Sequence, residues 1–415
     1  MKTKNLIMEA ANHFKKGAWM LVILLISFSA CTQTTVTIVN PYADVNWATF
    51  GQFKTALHMH TTNSDGGHTV AEMVEEHFQQ GFSIIALTDH NVLTPSMDGA
   101  KHEPDRTPPR IPVTPERRAE IEAGVGRDGK GMIAIYNTNE HSFVHHVNSF
   151  FADFTSERGQ SLEYILGRVE ELGGISRLNH PGRYVVPRAL VNEWNFEEAF
   201  ALAREPETVQ RYVDWFMNFP SNVGMEIVNR LDFETIADRV LWDEILMQTM
   251  PQGRPVWGFA DDDSHSRGGV GYAFNMFLMP ELNQENFRTV METGAFYAVS
   301  RVSRADGINI HMESGELIPL GGRFSTPDRE GTEFMLLQTT PSISNIEVNE
   351  RRATITISGA DYDIIEWIAD GVVIATGATL RLLNHKEEIN SYVRAQLRSE
   401  TGIAFTQPFG VNISR

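Results

Sequence analysis

Residues 54–91 read KTALHMHTTNSDGGHTVAEMVEEHFQQGFSIIALTDHN, and their pattern decides the fold class. A short apolar run ends in His58-Met59-His60. A polar stretch follows, closing on Gly66 and Gly67. Val70, Met73, Val74, His77 and Phe78 then recur at the spacing of one buried helical face. Gly81 stands where a helix C-cap belongs. A second apolar run, 83–87, ends in Thr88-Asp89-His90-Asn91. The stretch predicts strand, helix, strand, with polar residues gathered where each strand stops.

The same alternation continues outward. Further strand-like runs fall at 132–136, 174–178, 223–228 and 256–260. Leu162, Ile165, Leu166, Val169 and Leu172 repeat the helical face, and the pair Gly173-Gly174 follows them. Strands alternating with helices over about 250 residues predict a parallel sheet or an α/β barrel. Residues 96–130, rich in Pro, Arg and Gly, are expected to form a long insertion loop, and 186–220 inserted helices. The texture changes after about Ser303. Thr354 to Ile357 alternate with period two, and EWIADGVVIATG (366–377) places two strands around Asp370-Gly371, a hairpin signal. Residues 392–397 form another alternating run. The expectation is an α/β unit over 51–304 followed by a small all-β, sandwich-like domain over 305–415.

Composition narrows the function. Acidic residues outnumber basic ones 53 to 35, for a net charge of −18. A polyanion groove normally needs a basic face, so extended nucleic-acid binding is not expected. A small phosphate ester could still be drawn in by bound cations. The leader points to export. Lys15-Lys16 precede the apolar run AWMLVILLISFSA (18–30), and small Ser29 and Ala30 stand before Cys31. That is the layout of a signal peptide, and the run is short of the roughly 20 residues that span a bilayer. A cysteine at the exit resembles a bacterial lipobox, although Phe28 replaces the usual Leu or Val. The alternatives are an uncleaved anchor or a signal cut elsewhere. The reading is a signal segment over 1–31, a tether over 32–50, and a protein held in the cell envelope by a lipid on Cys31, facing the periplasm or the surface. Cys31 is the only cysteine, so a metal site must use nitrogen and oxygen donors.

His58 and His60, at i and i+2 of a strand end, can face one metal. Beyond that pair, HMHTTNSDG followed by ALTDHN resembles the opening motifs of the PHP (polymerase and histidinol phosphatase) superfamily. The later residues follow in order. Glu140 comes after the run 132–136, His146 stands beside His145, His180 lies in NHPGR, and Asp263 and His265 follow VWGFA. The resemblance spans roughly residues 53–300. It implies a distorted seven-stranded (β/α) barrel with two or three divalent metals at the C-terminal strand ends, where α/β barrels place their sites.

By the same resemblance, His58, His60, Glu140 and Asp263 would hold one metal. Glu140 would bridge to a second held by His146 and His180. Asp65, His90 and His265 would hold a third. Metals spaced roughly 3.5–4 Å apart can clamp the attacking and leaving oxygens of a phosphoryl group. The implied reaction is attack of metal-activated water on a small or glycan-linked phosphate ester. Zn²⁺, Mn²⁺ or Fe²⁺ suits such donors.

Several roles stay open at this stage. Arg183 is a candidate phosphate clamp or a surface arginine. Asp89 either orients a ligand histidine or caps a turn. His145 competes with His146, and Asp261 and Asp262 compete with Asp263, whose D-x-H spacing favours it. Glu226 receives no metal role, and His77 is expected in the core. Two other functions compete: a carboxyl ester or carbamate hydrolase on the same metals, and a non-catalytic metal-binding lipoprotein.

Overall fold

The structure is a computed structural model describing residues 35–97, 111–192, 196–230, 237–301, 308–310, 317–319, 339–399 and 401–414. The leader and Cys31 lie outside the described residues, as does 98–110 of the expected insertion loop. Among the described residues, no helix is long and apolar enough to cross a membrane.

The opening stretch folds as its pattern dictates. Gly51–Ala56 pairs in parallel with Ile84–Ile85, which pairs in parallel with Ile133–Ala134. Between the first two strands runs the helix Val70–Gln79, whose five patterned residues are all buried. Thr69 caps it reciprocally with Glu72, satisfying backbone donors that a helix start leaves free. The second patterned helix, Leu162–Glu171, stops one residue short of Leu172, which is its C-cap and partly exposed.

His77 sits under the first helix, fully buried. Its Nδ1 donates to the Met73 carbonyl at 2.7 Å, while Nε2 has no partner. Burial pushes its pKa from 6.5 down to about 4. A base depressed in this way contributes stability above pH 6.5, and that contribution is lost as pH falls through about 4. His77→Ala should lower stability by about 2–4 kcal/mol at pH 7, mostly through the cavity. It should also flatten the acid limb between pH 6.5 and 4. Urea unfolding at several pH values checks both, and turnover should be unchanged.

Among the described residues the sheets do not close, so the expected barrel is not confirmed. Gly51–Ala56 has Ala273–Met279 as its antiparallel neighbour on the other edge, followed by Phe296–Ser300. A second sheet holds Asn139–His141, Val147–Phe150, Ile175–Leu178, Asn222–Asn229 and Trp257–Asp261 in that order. Its first two pairings are antiparallel and its last two parallel. The break falls at Asn137, whose φ of 51° turns the chain out of one sheet before it starts the other. Isolated bridges at Met59–Ser264, His90–Glu140 and Thr94–Thr138 join the strand ends where ladders would have closed a barrel. A core that includes Leu57, Ile84, Phe150, Ile175, Phe259 and Phe277 draws on strands of both sheets.

The expected loop at 96–130 contains a helix, Pro115–Glu122. Thr114 caps it and proline occupies its first turn, a start signal that outweighed its mostly polar sequence. The inserted helices at 186–220 are present as Arg188–Asn192, Phe196–Ala203 and Pro206–Asn218. Toward the C-terminus, Asp370 and Gly371 both take positive φ, at 49° and 74°. They form the tight turn between Ile364–Ala369 and Val372–Thr376. Gly402–Phe405 pairs with Phe296–Ser300, so these later strands extend the large sheet. Ser342–Asn349, Thr354–Ala360 and Thr379–Arg381 form a separate three-stranded sheet.

Candidate metal centre

After Ala56 the chain leaves its ladder but stays pinned. Leu57 donates its N–H to Asp261 Oδ1 at 2.7 Å, Met59 to Thr88 Oγ1 at 3.0 Å, and His60 to the Ser264 carbonyl at 2.8 Å. His58 and His60 are thereby buried, with ring centroids 5.1 Å apart. The following loop folds back on itself around Asp89. Its carboxylate accepts from the Thr61 N–H at 2.7 Å, the Thr61 hydroxyl at 2.8 Å and the Ser64 hydroxyl at 2.8 Å. Gly66 permits the tight return, because a Cβ there would lie 2.6 Å from the His60 backbone. Asp89 thus shapes the loop that presents Asp65, and Asp65 Oδ2 comes within 3.3 Å of His265 Nε2 and 3.6 Å of His90 Nε2.

Glu140 lies at the middle of the cluster, with no exposed side-chain surface. Its Oε1 is 3.0 Å from His58 Nε2, 3.0 Å from His146 Nδ1 and 3.8 Å from His180 Nε2. Its Oε2 is 2.6 Å from His90 Nδ1 and 3.5 Å from His60 Nε2. Asp263 Oδ1 stands 2.9 Å from His60 Nε2 and 3.4 Å from His58 Nε2. All nine residues expected as ligands are therefore brought together. Four groups have ligand atoms within 4.8 Å of one another: His58, His60 and Asp263; His58, Glu140 and His180; His90, Glu140 and His146; and His60, Asp65, His90 and His265. The grouping differs in detail from the expected one. His60 also joins the outer set, and His146 shares a group with His90, where His180 was expected.

The donor set fits divalent cations. His58 Nε2, both ring nitrogens of His60 and of His180, His90 Nδ1, Glu140 Oε2 and Asp263 Oδ1 are buried without hydrogen-bond partners. Orphaned buried polar atoms are costly. Of these, His58 Nε2, His60 Nε2, His90 Nδ1, Glu140 Oε2 and Asp263 Oδ1 face one another at 2.6–3.5 Å without hydrogen-bond geometry, as donor atoms sharing a cation would. His180 and Asp263 also hold positive φ, at 30° and 45°, a strain that the surroundings must impose.

The electrostatics show how strongly these groups feel one another. Burial disfavours the His58 imidazolium, yet the charges of Asp263, Glu140 and Glu226 outweigh it and raise its pKa well above the usual value. Burial likewise opposes ionisation of Glu140 and Asp263. The surrounding histidines, His58 foremost, nevertheless hold both carboxyls well below the usual range. For His60 and His180, burial prevails and lowers the pKa.

The run Asp261-Asp262-Asp263 divides its labour. Asp261 holds Leu57 and takes a 2.5 Å contact from Arg177 Nη1. Asp262 accepts three backbone N–H groups, from Gly271 at 2.5 Å and from Tyr272 and Ala273 at 2.8 Å. Asp263 alone faces the histidines. His145 is turned away, bonded to the Tyr212 hydroxyl at 2.9 Å and stacked on Tyr184. Arg183 is exposed on the short helix Gly182–Val185, its N–H donating to the His180 carbonyl at 3.0 Å.

Sequence reading missed Arg230 and Arg177, and it left Glu226 without a metal role, outside the metal-facing groups as the structure has it. Arg230 reaches Asp263 Oδ2 at 3.1 Å and the Asp263 carbonyl at 2.8 Å, and it also contacts His265. Arg177 and Glu226 are fully buried in the second sheet, 3.1 Å apart. Their signal was present in the sequence, since a charge inside an apolar strand is seldom buried without a partner.

Comparison with known proteins agrees with the opening motifs. Residues 56–167 match the family described as the PHP domain. Over 54 residues the chain is 41% identical to the DNA polymerase/3'-5' exonuclease PolX of Bacillus subtilis (strain 168). That match covers 13% of this chain and spans about a tenth of the relative's length, 10%. Among solved structures, the chain is similar to a two-domain protein from Bacteroides vulgatus ATCC 8482 containing a predicted PHP-like metal-dependent phosphoesterase. Identity is 15%, the TM-score 0.41, and coverage 89% of this chain and 98% of that one. It is also similar to the lesion-specific endonuclease PfuEndoQ from Pyrococcus furiosus. There identity is 15%, the TM-score 0.33, and coverage 58% and 56%. The segment similar to the PHP domain holds His58, His60, Asp65, His90, Glu140 and His146, within a chain of mixed α/β structure.

Proposed function

We propose that this protein is an exported, metal-dependent phosphoesterase that hydrolyses a small or glycan-linked phosphate ester. One observation carries the reading: nine His, Asp and Glu side chains from separate strand ends converge, and among the described residues six of them, His58, His60, His90, Glu140, His180 and Asp263, hold buried ligand atoms without a hydrogen-bond partner. The inner groups would use His58, His60, Glu140, His180 and Asp263, and the outer ones Asp65, His90, His146 and His265. Bound divalent cations would supply Lewis acidity and lower the pKa of a coordinated water toward neutrality.

The chain's own residues account for the rest. Glu140 lies within reach of both inner and outer groups, so it fixes their separation. The cluster is closed at His58 and Glu140 and open at Asp65 and His265, whose side chains are 54% and 31% exposed. Substrate reaches the centre from that open side. Arg230 stands on the same side, 35% exposed and anchored on Asp263, where a second face of its guanidinium can orient an anionic ester oxygen. The net charge of −18 repels polyanions and favours a small substrate concentrated by the cations. Export and anchoring through a lipid on Cys31 rest on the leader pattern.

The test is metal analysis of the purified protein, followed by a panel of phosphomonoesters, phosphodiesters, carboxyl esters and carbamates with added Mn²⁺ or Zn²⁺. Phosphate-ester cleavage supports the reading. Cleavage of carboxyl esters or carbamates alone would replace it, and bound metal without turnover on any member would leave a binding protein. Arg230→Ala is expected to raise KM for an anionic ester roughly tenfold or more, the worth of one charged hydrogen bond. Steady-state kinetics on charged and neutral esters checks this.

A further inference from the structure

Glu226 lies behind the centre and is fully buried. It makes none of the metal-facing groups, yet its carboxylate is used on every side. Oε1 accepts from His58 Nδ1 at 2.7 Å and from Arg177 Nη2 at 3.1 Å. Oε2 accepts from the backbone N–H of His180 at 2.8 Å and from Asn229 Nδ2 at 2.8 Å. Four donors converge on two oxygens, so only a carboxylate, an acceptor without hydrogens, satisfies the site.

We propose that Glu226 is a positioning residue that fixes two metal-facing histidines at once: it sets the tautomer of His58 and holds His180 in its left-handed conformation. The proposal rests on the metal-centre reading above.

The first half follows from proton bookkeeping. A carboxylate at Nδ1 requires the proton to sit on that nitrogen. Neutral His58 then presents a bare Nε2, 3.0 Å from Glu140 and 3.4 Å from Asp263. An imidazole with its proton on Nε2 could not donate that lone pair to a cation. The second half concerns the backbone. His180 has φ 30°, outside the ordinary range for a side chain with a Cβ. Its N–H ends on Glu226, which removes the penalty of burying that donor and ties the loop to the strand Asn222–Asn229. Arg177 balances the charge and also bonds Asp261, which holds Leu57 beside His58. One carboxylate thus couples the strand ends at 58, 180 and 226.

Glu226→Gln changes one acceptor atom into an NH₂ and keeps the volume. Either orientation of the amide fails. With NH₂ toward Nδ1, His58 must move its proton to Nε2. With NH₂ toward His180, two donors meet and the strained turn loses its anchor. The variant is expected to fold, to bind Mn²⁺ or Zn²⁺ about 10- to 100-fold more weakly at the inner groups, and to regain much of its turnover at high metal concentration. Metal retained against graded chelator, read by mass spectrometry, gives the affinity. Circular dichroism and melting without metal read the fold. Unchanged metal affinity in a folded Glu226→Gln protein would overturn the proposal.

A second measurement needs no variant. In the unaltered ¹⁵N-histidine-labelled protein with metal, His58 should show a strongly hydrogen-bonded proton on Nδ1. A proton on Nε2 would overturn the tautomer assignment. An unaltered protein that binds no metal at all would remove the metal-centre reading and this inference together. Loss of affinity in the variant alone tests Glu226.

Discussion

Glu140→Gln is expected to reduce turnover by at least about a thousandfold, a barrier increase of roughly 4 kcal/mol, while the protein stays folded. The reason lies in its position. Glu140 belongs to two of the four groups, and its two oxygens face five histidines between 2.6 and 3.8 Å. An amide there cannot neutralise two cations, and its NH₂ opposes imidazoles that must present lone pairs. Asn179 Nδ2 also donates to Glu140 Oε1 at 2.7 Å, so the orientation of the amide is fixed with its NH₂ away from Asn179 and into the cluster. The checks are kcat with saturating Mn²⁺ or Zn²⁺ and metal content per chain, with circular dichroism to show retained fold. Full turnover in a folded variant would contradict the central role given to this carboxylate.

The second large effect is on stability. Arg177→Leu is expected to cost about 3–5 kcal/mol, the usual consequence of removing one partner from a buried ionic network. Arg177 is fully buried and meets Asp261 at 2.5 Å, Glu226 at 3.1 Å and the Leu57 carbonyl at 3.2 Å. It also lies over the Phe259 ring. Without it, two carboxylates face each other in the dark of the second sheet. Burial already raises the Asp261 pKa to about 6, opposed mainly by Arg177. Leucine fills part of the space and supplies no charge. A fall in melting temperature on the order of 10 °C is expected from that loss, since 1 kcal/mol is worth roughly 2–4 °C in large domains. Calorimetry of both proteins, each stripped of metal, isolates the structural part. A shift of only one or two degrees would mean that the network contributes little.

What the sequence made legible followed from periodicity. The helix at Val70–Gln79 buries one patterned face, and the strands ending at 85 and 178, buried at every position, show as short apolar runs, as does the one ending at 56. The ligands were legible because His, Asp and Glu fell at strand ends in a recognisable order. Barrel closure was not legible, since it depends on where the backbone turns. Asn137 adopts a positive φ that its neighbours do not signal, and the closing rungs become single bridges. The supporting layer was legible only as charges inside apolar strands, without their partners. Glu226 and Arg177 look like isolated charges in apolar strands, and only their meeting in space shows that each is the other's reason for being buried. Arg230 lies one residue past a strand end, where sequence distance from Asp263 conceals a 3.1 Å contact. The cap at Thr114-Pro115 could have been read, and it marks the helix that the expected loop concealed.

The most direct test of the metal centre is anomalous X-ray diffraction from crystals of the purified protein, recorded at the absorption edges of the metals found in it. The account predicts at least two peaks per chain, one of them about 2.0–2.2 Å from a Glu140 oxygen and the others among His58, His60, His180, Asp263 and the outer set. A crystal grown with ample Mn²⁺ or Zn²⁺ that shows no peak within that distance of Glu140 or His58 would contradict it.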